Sequence, residues 1–174
     1  MIITVGGQAA SGKSTLAKAL AEKLGYSHIS AGKLMRDMAD EHGMTLLEFS
    51  KYAEEHPEVD VEIDERQKKL AKDDCVVDGR LSRYFLDPDL SIWLIAPSAT
   101  RAERVLGRGE KYKTSKDAEK DIIARDASER TRYLKYYEID VADLSKYDLV
   151  LNTGKFNIPQ MTSVAVCAAH SLIK

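Results

Sequence analysis

At 174 residues the chain is long enough for one well-buried domain, spanning 1–174, and no second independent core is expected. Charged residues make up 31% and the formal net charge is −2, which argues against a global basic field of the kind that recruits nucleic acid. No apolar run reaches membrane-spanning length, and the two cysteines have neither metal-site nor disulfide-framework spacing.

The chain opens on a short apolar run, Ile2-Ile3-Thr4-Val5, read as a strand that turns at Gly6-Gly7. It starts directly on that strand with no signal-peptide pattern, so the expected location is the cytoplasm. Gly7-Gln8-Ala9-Ala10-Ser11-Gly12-Lys13-Ser14 then fits G-x-x-x-x-G-K-[ST], the phosphate-binding P-loop. The glycines let the backbone bend so that successive N–H groups point inward at phosphate oxygens. Lys13, expected on a surface loop, would bring a point charge to the β- and γ-phosphates of a nucleotide, and the Ser14 hydroxyl would ligate Mg²⁺. Leu16, Ala17, Leu20, Ala21 and Leu24 recur at helical spacing, and Gly25 stands where a C-cap glycine belongs. The start of that helix therefore aims its partial positive charge at the phosphates.

A short strand from Tyr26 to Ser30 follows, and a helix begins near Lys33 and stops at Gly43. Thr45-Leu46-Leu47-Glu48 has the capping-box pattern and starts a second helix, ended by His56-Pro57; a third runs from about Glu58 to Ala71. Strand Cys75-Val76-Val77 leads to Asp78-Gly79-Arg80, and Leu90 to Ala96 is the clearest further strand. Ser98 is expected to cap the next helix, and Thr114 or Ser115 a long charged one reaching about Tyr137. Leu149 to Asn152 is the last strand, and Pro159 opens a C-terminal helix. Cys75 and Cys167 are both expected as small buried hydrophobes. Continuous apolar strands separated by helices predict a parallel sheet covered on both faces. Residues 31–72 and about 101–137 are too polar for simple crossovers, and are expected to be movable insertions on that sheet.

Asp78 ends an apolar strand, where a P-loop protein places the carboxylate that holds Mg²⁺. Arg101, Arg104 and Arg108 share one helix face, and Arg125, Glu129 and Arg132 share another. Faces of like charge repel themselves and suggest an anion between them, although Glu103, Asp126 and Glu129 could pair these arginines locally. Arg36 and Arg80 are expected to point into the crevice at the carboxyl ends of the strands. One nucleotide on the P-loop and further arginines on mobile insertions imply a second phosphate-bearing partner, and so phosphoryl transfer between nucleotides.

On these residues the chain resembles a nucleoside monophosphate kinase, more narrowly the archaeal-type cytidylate kinases. The stretches carrying the resemblance are Gly7 to Thr15, Ile29 to Gly32 with Arg36, Glu48 to Pro57, Asp78-Gly79-Arg80, the Arg101/Arg104 helix, Ser128 to Tyr133, Ile139-Asp140-Val141 and Asp143 to Thr153. The P-loop is common to a vast superfamily; Glu48 to Pro57 and Asp143 to Thr153 are far more specific. The resemblance implies a three-layer α/β/α P-loop fold with a five-stranded parallel sheet, a monophosphate-binding insertion (31–72) and a lid (about 101–137). It implies transfer of the γ-phosphate of ATP to CMP or dCMP with Mg²⁺, by a monomer. Gly7, Gln8, Ala9, Ala10, Ser11, Gly12, Lys13, Ser14 and Thr15 would hold ATP, and Ser14 with Asp78 the metal ion. Arg36, Arg80, Arg125 and Arg132 would grip the acceptor and Glu129 its sugar, while Lys13, Arg104 and Arg132 stabilise the transferring group. Many relatives carry a proline in the loop where this chain has Gln8-Ala9-Ala10, which is expected to alter only loop stiffness, and many carry Glu where Asp78 stands.

An adenylate or uridylate kinase is the first alternative. A GTPase-type switch needs an Asn-Lys-x-Asp loop, and the nearest segment, Asn152-Thr153-Gly154-Lys155, lacks the aspartate. A nucleic-acid-binding module is opposed by the acidic balance. Cytosine offers an amino donor where uracil presents a carbonyl, so its pocket wants a carboxylate; Asp60 and Asp64, one turn apart with Arg66 close by, are the candidates. The empty lid is expected to stand open through repulsion among its arginines, with Arg104 and Arg132 approaching the phosphates only after both nucleotides bind.

Overall fold

The N-terminal apolar run forms β1 (Ile2–Gly7), and in the computed structural model it is the central strand of a five-stranded parallel sheet. The structure describes residues 1–107 and 112–172, without the side chains at positions 46, 47 and 50. β2 (Ser27–Ser30), β3 (Cys75–Asp78), β4 (Leu90–Ile95) and β5 (Leu149–Asn152) complete the order β2-β3-β1-β4-β5. The register sets Val5 opposite Asp78 and Asp78 opposite Ser30. The carboxyl ends of the three strands thus meet beside the turn that leaves β1, which is where ligands bind in open sheets of this kind.

Alternation along these strands fills both faces. On one, Ile3, Val5, Val76, Ile92, Leu94 and Leu151 pack under α1 (Lys13–Leu24) and α8 (Ile158–Leu172) through Leu16, Leu20, Met161, Ala165 and Ala169. Leu16 and Leu20 are wholly buried, and truncating either to Ala would cost about 2–5 kcal/mol. On the other face Ile29, Cys75 and Val77 meet Leu34 and Leu86, while Trp93 packs with Leu81, Tyr133, Val141 and Tyr147. This is the three-layer α/β arrangement that the apolar strands predicted. Among the described residues no helix is long and apolar enough to cross a membrane.

Between β2 and β3 lie α2 (Ala31–Glu41), α3 (Leu46–Glu55) and α4 (Glu58–Leu70). The Thr45/Glu48 capping box forms as its pattern predicted. The three helices share a separate small core of Met38, Phe49, Ala53, Val59 and Ile63. After β3 come α5 (Ser82–Phe85), then, past β4, α6 (Ser98–Leu106) and α7 (Ser115–Tyr137). Ala102 and Val105 of α6 pack against Ala118 and Ile122 of α7, and Ala9 joins that cluster.

Two expectations are corrected. Ser98 does not cap α6: it is the first helical residue after Pro97, and its hydroxyl donates to Glu119 instead. Cys167 is exposed, because the inward stripe of α8 runs through Ala165 and Ala169, and a residue two positions on from Ala165 falls on the opposite side.

Candidate active site

β1 ends at Gly7, where φ is 146° and a Cβ would lie 2.5 Å from the Leu94 carbonyl oxygen, so no other residue fits. Gly12 has φ 96°, and Ala10 is held at φ 56°, a conformation that costs an L-residue about 1–2 kcal/mol. Strain of this kind gathers where a backbone must present its N–H groups to a ligand. Lys13 is the first residue of α1 and half-buried, which corrects its expected place on a surface loop. Its ammonium folds back into the loop and donates to Gly7 O at 2.9 Å and Gln8 O at 2.8 Å. Burial, then the nearby Arg80 charge, pull its pKa well below the usual lysine range, against the opposing pull of Glu129 and Asp78. An added anion would relieve that cost.

Asp78 is almost fully buried. Burial pushes its pKa up, but His28, Ser14 and Ser30 at the carboxylate outweigh that and hold it below the ordinary range. His28 Nε2 stands 3.5 Å from Asp78 Oδ2, and that oxygen has no hydrogen-bond partner. Ser14 and Asp78 therefore meet as the sequence predicted. A hydroxyl beside an ionised carboxylate with an orphaned oxygen fits Mg²⁺, which takes oxygen ligands and keeps several waters. Among the described residues no group of three or more His, Cys, Asp or Glu could hold a metal ion.

α7 crosses above this loop and carries the second set of charges. Arg80 Nε lies 2.8 Å from Glu129 Oε2, and Arg125 Nε lies 3.0 Å from Glu129 Oε1. Arg132 Nε stands 3.5 Å from Asp60 Oδ2 on α4. Asp126 accepts from the Ala9 amide at 2.9 Å and from Arg101 Nη1 at 2.5 Å. α7 thus touches both the loop and the insertion. Arg125 pairs with Glu129 one turn away and Arg101 with Asp126, as the sequence offered as an alternative, while Arg132 pairs with Asp60 of α4, which it did not.

The Arg101/Arg104 face is likewise corrected. Arg101 is 4% exposed and donates to Ala96 O and Ala9 O. Arg104 donates to Ala10 O, Ser11 O, the Thr153 hydroxyl at 2.8 Å and Thr153 O at 2.6 Å. Both arginines already grip the outside of the loop and need no closure to reach it. Arg108, the third of that face, lies outside the described residues. Arg36 is exposed on α2 and reaches back to Gly32, where a Cβ would lie 3.8 Å from its Nη1.

Asp60 and Asp64 face the crevice between α4 and α7. Burial raises the pKa of Asp60, against the pull of Arg132. Burial, then the charge of Asp60, pushes Asp64 up to about 7. Gln67 Nε2 donates to Asp64 Oδ1 at 3.1 Å, and Ser82 Oγ donates to Gln67 Oε1 at 2.6 Å. Asp60 Oδ2, Asp64 Oδ2 and Arg132 Nε remain buried without hydrogen-bond partners. Such atoms are costly unless something polar arrives to pair with them. Arg66 does not join them: it pairs with Glu41 and Glu62, since two positions beyond Asp64 is the far side of the helix. A separate space of about 360 Å³ lies between the loop and α7, lined by Gly7, Gln8, Arg80, Trp93 and Glu129 among others and by no residue of α4.

Sequence reasoning missed His28, Asp126 as a loop contact, and the Gln67–Ser82 support of Asp64. Gln67 could have been found, since it lies one turn after Asp64 on the same face. His28 needed the knowledge that β2 pairs with β3.

A family model described as the cytidylate kinase-like family matches residues 2–155. The cytidylate kinase of Methanocaldococcus jannaschii is 45% identical over the whole of both chains. That of Pyrococcus furiosus is 48% identical over 99% of this chain and 90% of its own. Among solved structures, an uncharacterized protein from Eubacterium ventriosum superposes with a TM-score of 0.74 at 20% identity, covering 98% of this chain and 99% of that one. A shikimate kinase from Bacteroides thetaiotaomicron reaches 0.64 at 16% identity, covering 99% and 98%. The structural matches share the fold.

Proposed function

The chain belongs to the cytidylate kinase-like family and transfers a phosphoryl group from ATP to CMP, and we propose that it does so in the crevice between the P-loop, α4 and α7. The products are ADP and CDP. The observation that carries this placement is the buried Asp60–Arg132 pair that joins α4 to α7, with the neighbouring Asp64 Oδ2 left without a hydrogen-bond partner.

On this reading Gly7 to Thr15 hold the triphosphate of ATP through backbone N–H groups and the α1 N-terminus. Lys13 exchanges the Gly7 and Gln8 carbonyls for phosphate oxygens, and their charge keeps it protonated. Ser14 and Asp78 would hold Mg²⁺, whose charge would offset that of the phosphates. Arg36, Arg80, Arg125 and Arg132 take the acceptor phosphate. Phosphate oxygens replace Glu129 as the partner of Arg80 and Arg125, freeing that carboxylate for the sugar hydroxyls. Asp60 and Asp64 accept from the cytosine amino group, and the sugar contacts being secondary, dCMP is accepted as well. The attacking oxygen belongs to a phosphate with a second pKa near about 6, already ionised at neutral pH, so no general base is required. Catalysis is then positioning and charge stabilisation, by Lys13 from the loop and Arg132 from α7. Arg104, bonded to the loop carbonyls and Thr153, supports the loop and, with Lys13 and Arg132, would stabilise the transferring group. The acting unit is proposed as a monomer, working in the cytoplasm where both nucleotides are found.

A bisubstrate analogue joining adenosine to cytidine through a phosphate chain tests the placement. It is expected to compete with both ATP and CMP, and to protect the segment from 101 to 137 against proteolysis. Competition with ATP alone would remove CMP from this crevice.

A further inference from the structure

The Ala9 peptide is held on every side by residues with no part in the transfer described above. Its N–H donates to Asp126 Oδ1 at 2.9 Å, and its carbonyl accepts from Arg101 Nη1 at 3.1 Å. Its methyl group is 4% exposed among Ala102, Val105, Ala118 and Ile122. Arg101 is fixed in turn by Asp126 and by the Ala96 carbonyl at 3.2 Å. The next residue, Ala10, carries the unfavourable φ of 56°.

We infer that Asp126 and Arg101 are positioning residues for the donor nucleotide: they clamp the Ala9 peptide from outside and so hold the first half of the loop in its phosphate-ready shape. The inference rests on reading Gly7 to Thr15 as the ATP loop. A loop that turns its N–H groups inward has few bonds of its own, and its shape must come from what surrounds it. A proline at position 9 would offer no N–H and would fix φ through its ring. Alanine lacks that stiffness and leaves a donor to be satisfied, and Asp126 satisfies it.

A second role for Asp126 would be as a plug, its carboxylate occupying an amide that a phosphate could use. The two roles predict opposite signs. Removing a plug, and leaving the Arg101 charge unopposed, would tighten ATP binding; removing a clamp loosens it. Asp126→Ala is expected to raise the KM for ATP about tenfold, with the KM for CMP and the kcat at saturating ATP changed by less than about threefold. Asp126→Asn keeps an oxygen for the Ala9 N–H and is expected to recover most of the loss. An unchanged or lowered KM for ATP in Asp126→Ala, or an equal rise in the KM for CMP, overturns the inference. Should Asp126→Ala fold poorly, Asp126→Leu keeps the side-chain size without an acceptor and is expected to raise the KM for ATP likewise; in an Ala9→Pro background, with no N–H to hold, the same change should move it less than about twofold, and the full single-variant effect there would contradict the clamp. Failure of the underlying loop reading has its own signature, near-normal turnover in Lys13→Met, which no failure of the clamp alone would produce.

Discussion

The two halves of the site are built in different ways. The proposed donor half is nine consecutive residues between one strand and one helix, and its shape is set by backbone: Gly7, Gly12 and the strained Ala10. The proposed acceptor half is gathered from α2, α4, α7 and the end of β3, and its shape is set by charge pairs, Arg80 and Arg125 on Glu129 and Arg132 on Asp60. A backbone cradle is present before its ligand. A paired crevice instead exchanges partners when the ligand arrives. The donor half should therefore fail through lost chemistry, and the acceptor half through lost discrimination.

The sharpest break in that comparison is Lys13→Met. Turnover should fall by about a thousandfold or more, because the charge facing the transferring group is gone. Stability should hold or rise. A lysine whose folded pKa is depressed is a burden whenever it is charged, that is, below its ordinary pKa near 10.5, and methionine removes the burden. Melting temperature and kcat measured together check the pair of signs; a large drop in both would mean that the ammonium serves the fold.

Asp64→Asn should have a smaller effect and a different kind. The CMP-to-UMP preference in kcat/KM should narrow by about tenfold or more, with kcat on CMP less affected. Asp64 also brings a pH dependence. Its folded pKa is raised to about 7, so the folded state keeps a proton that the unfolded chain has lost, and stability declines as pH climbs from about 4 toward 7. Asp64→Asn should flatten that decline, a difference on the order of 3 kcal/mol above pH 7, visible in urea unfolding at pH 5 and pH 8. Because an ionised carboxylate accepts from the amino group more strongly than a protonated one, the KM for CMP should fall between pH 6 and pH 8 in the native chain and stay level in Asp64→Asn. Arg66→Ala, with its side chain turned to Glu41 and Glu62, should leave the preference unchanged.

The same contrast governs what could be read from sequence. The loop was legible because its residues are contiguous and its backbone demands glycine at fixed offsets. So were the strands, as apolar runs, and the capping box at Thr45, as a local pattern. Ala9 and Asp126 are 117 positions apart, and no local rule joins them. The lid arginines were expected to repel one another because their partners, Asp60 above all, come from other elements. Arg66 was grouped with Asp64 by nearness in sequence, and Cys167 with its apolar neighbours; in both, the helical phase of the residue decided otherwise.

The most direct test of the account is the rate of phosphoryl transfer from ATP across CMP, dCMP, UMP and AMP with the native chain. CMP is predicted to lead in kcat/KM, with dCMP accepted, UMP clearly poorer because it brings a carbonyl to the α4 carboxylates, and AMP poor because a purine overfills the crevice. Turnover of AMP or UMP above that of CMP would contradict the assignment of Asp60 and Asp64 and of the acceptor itself.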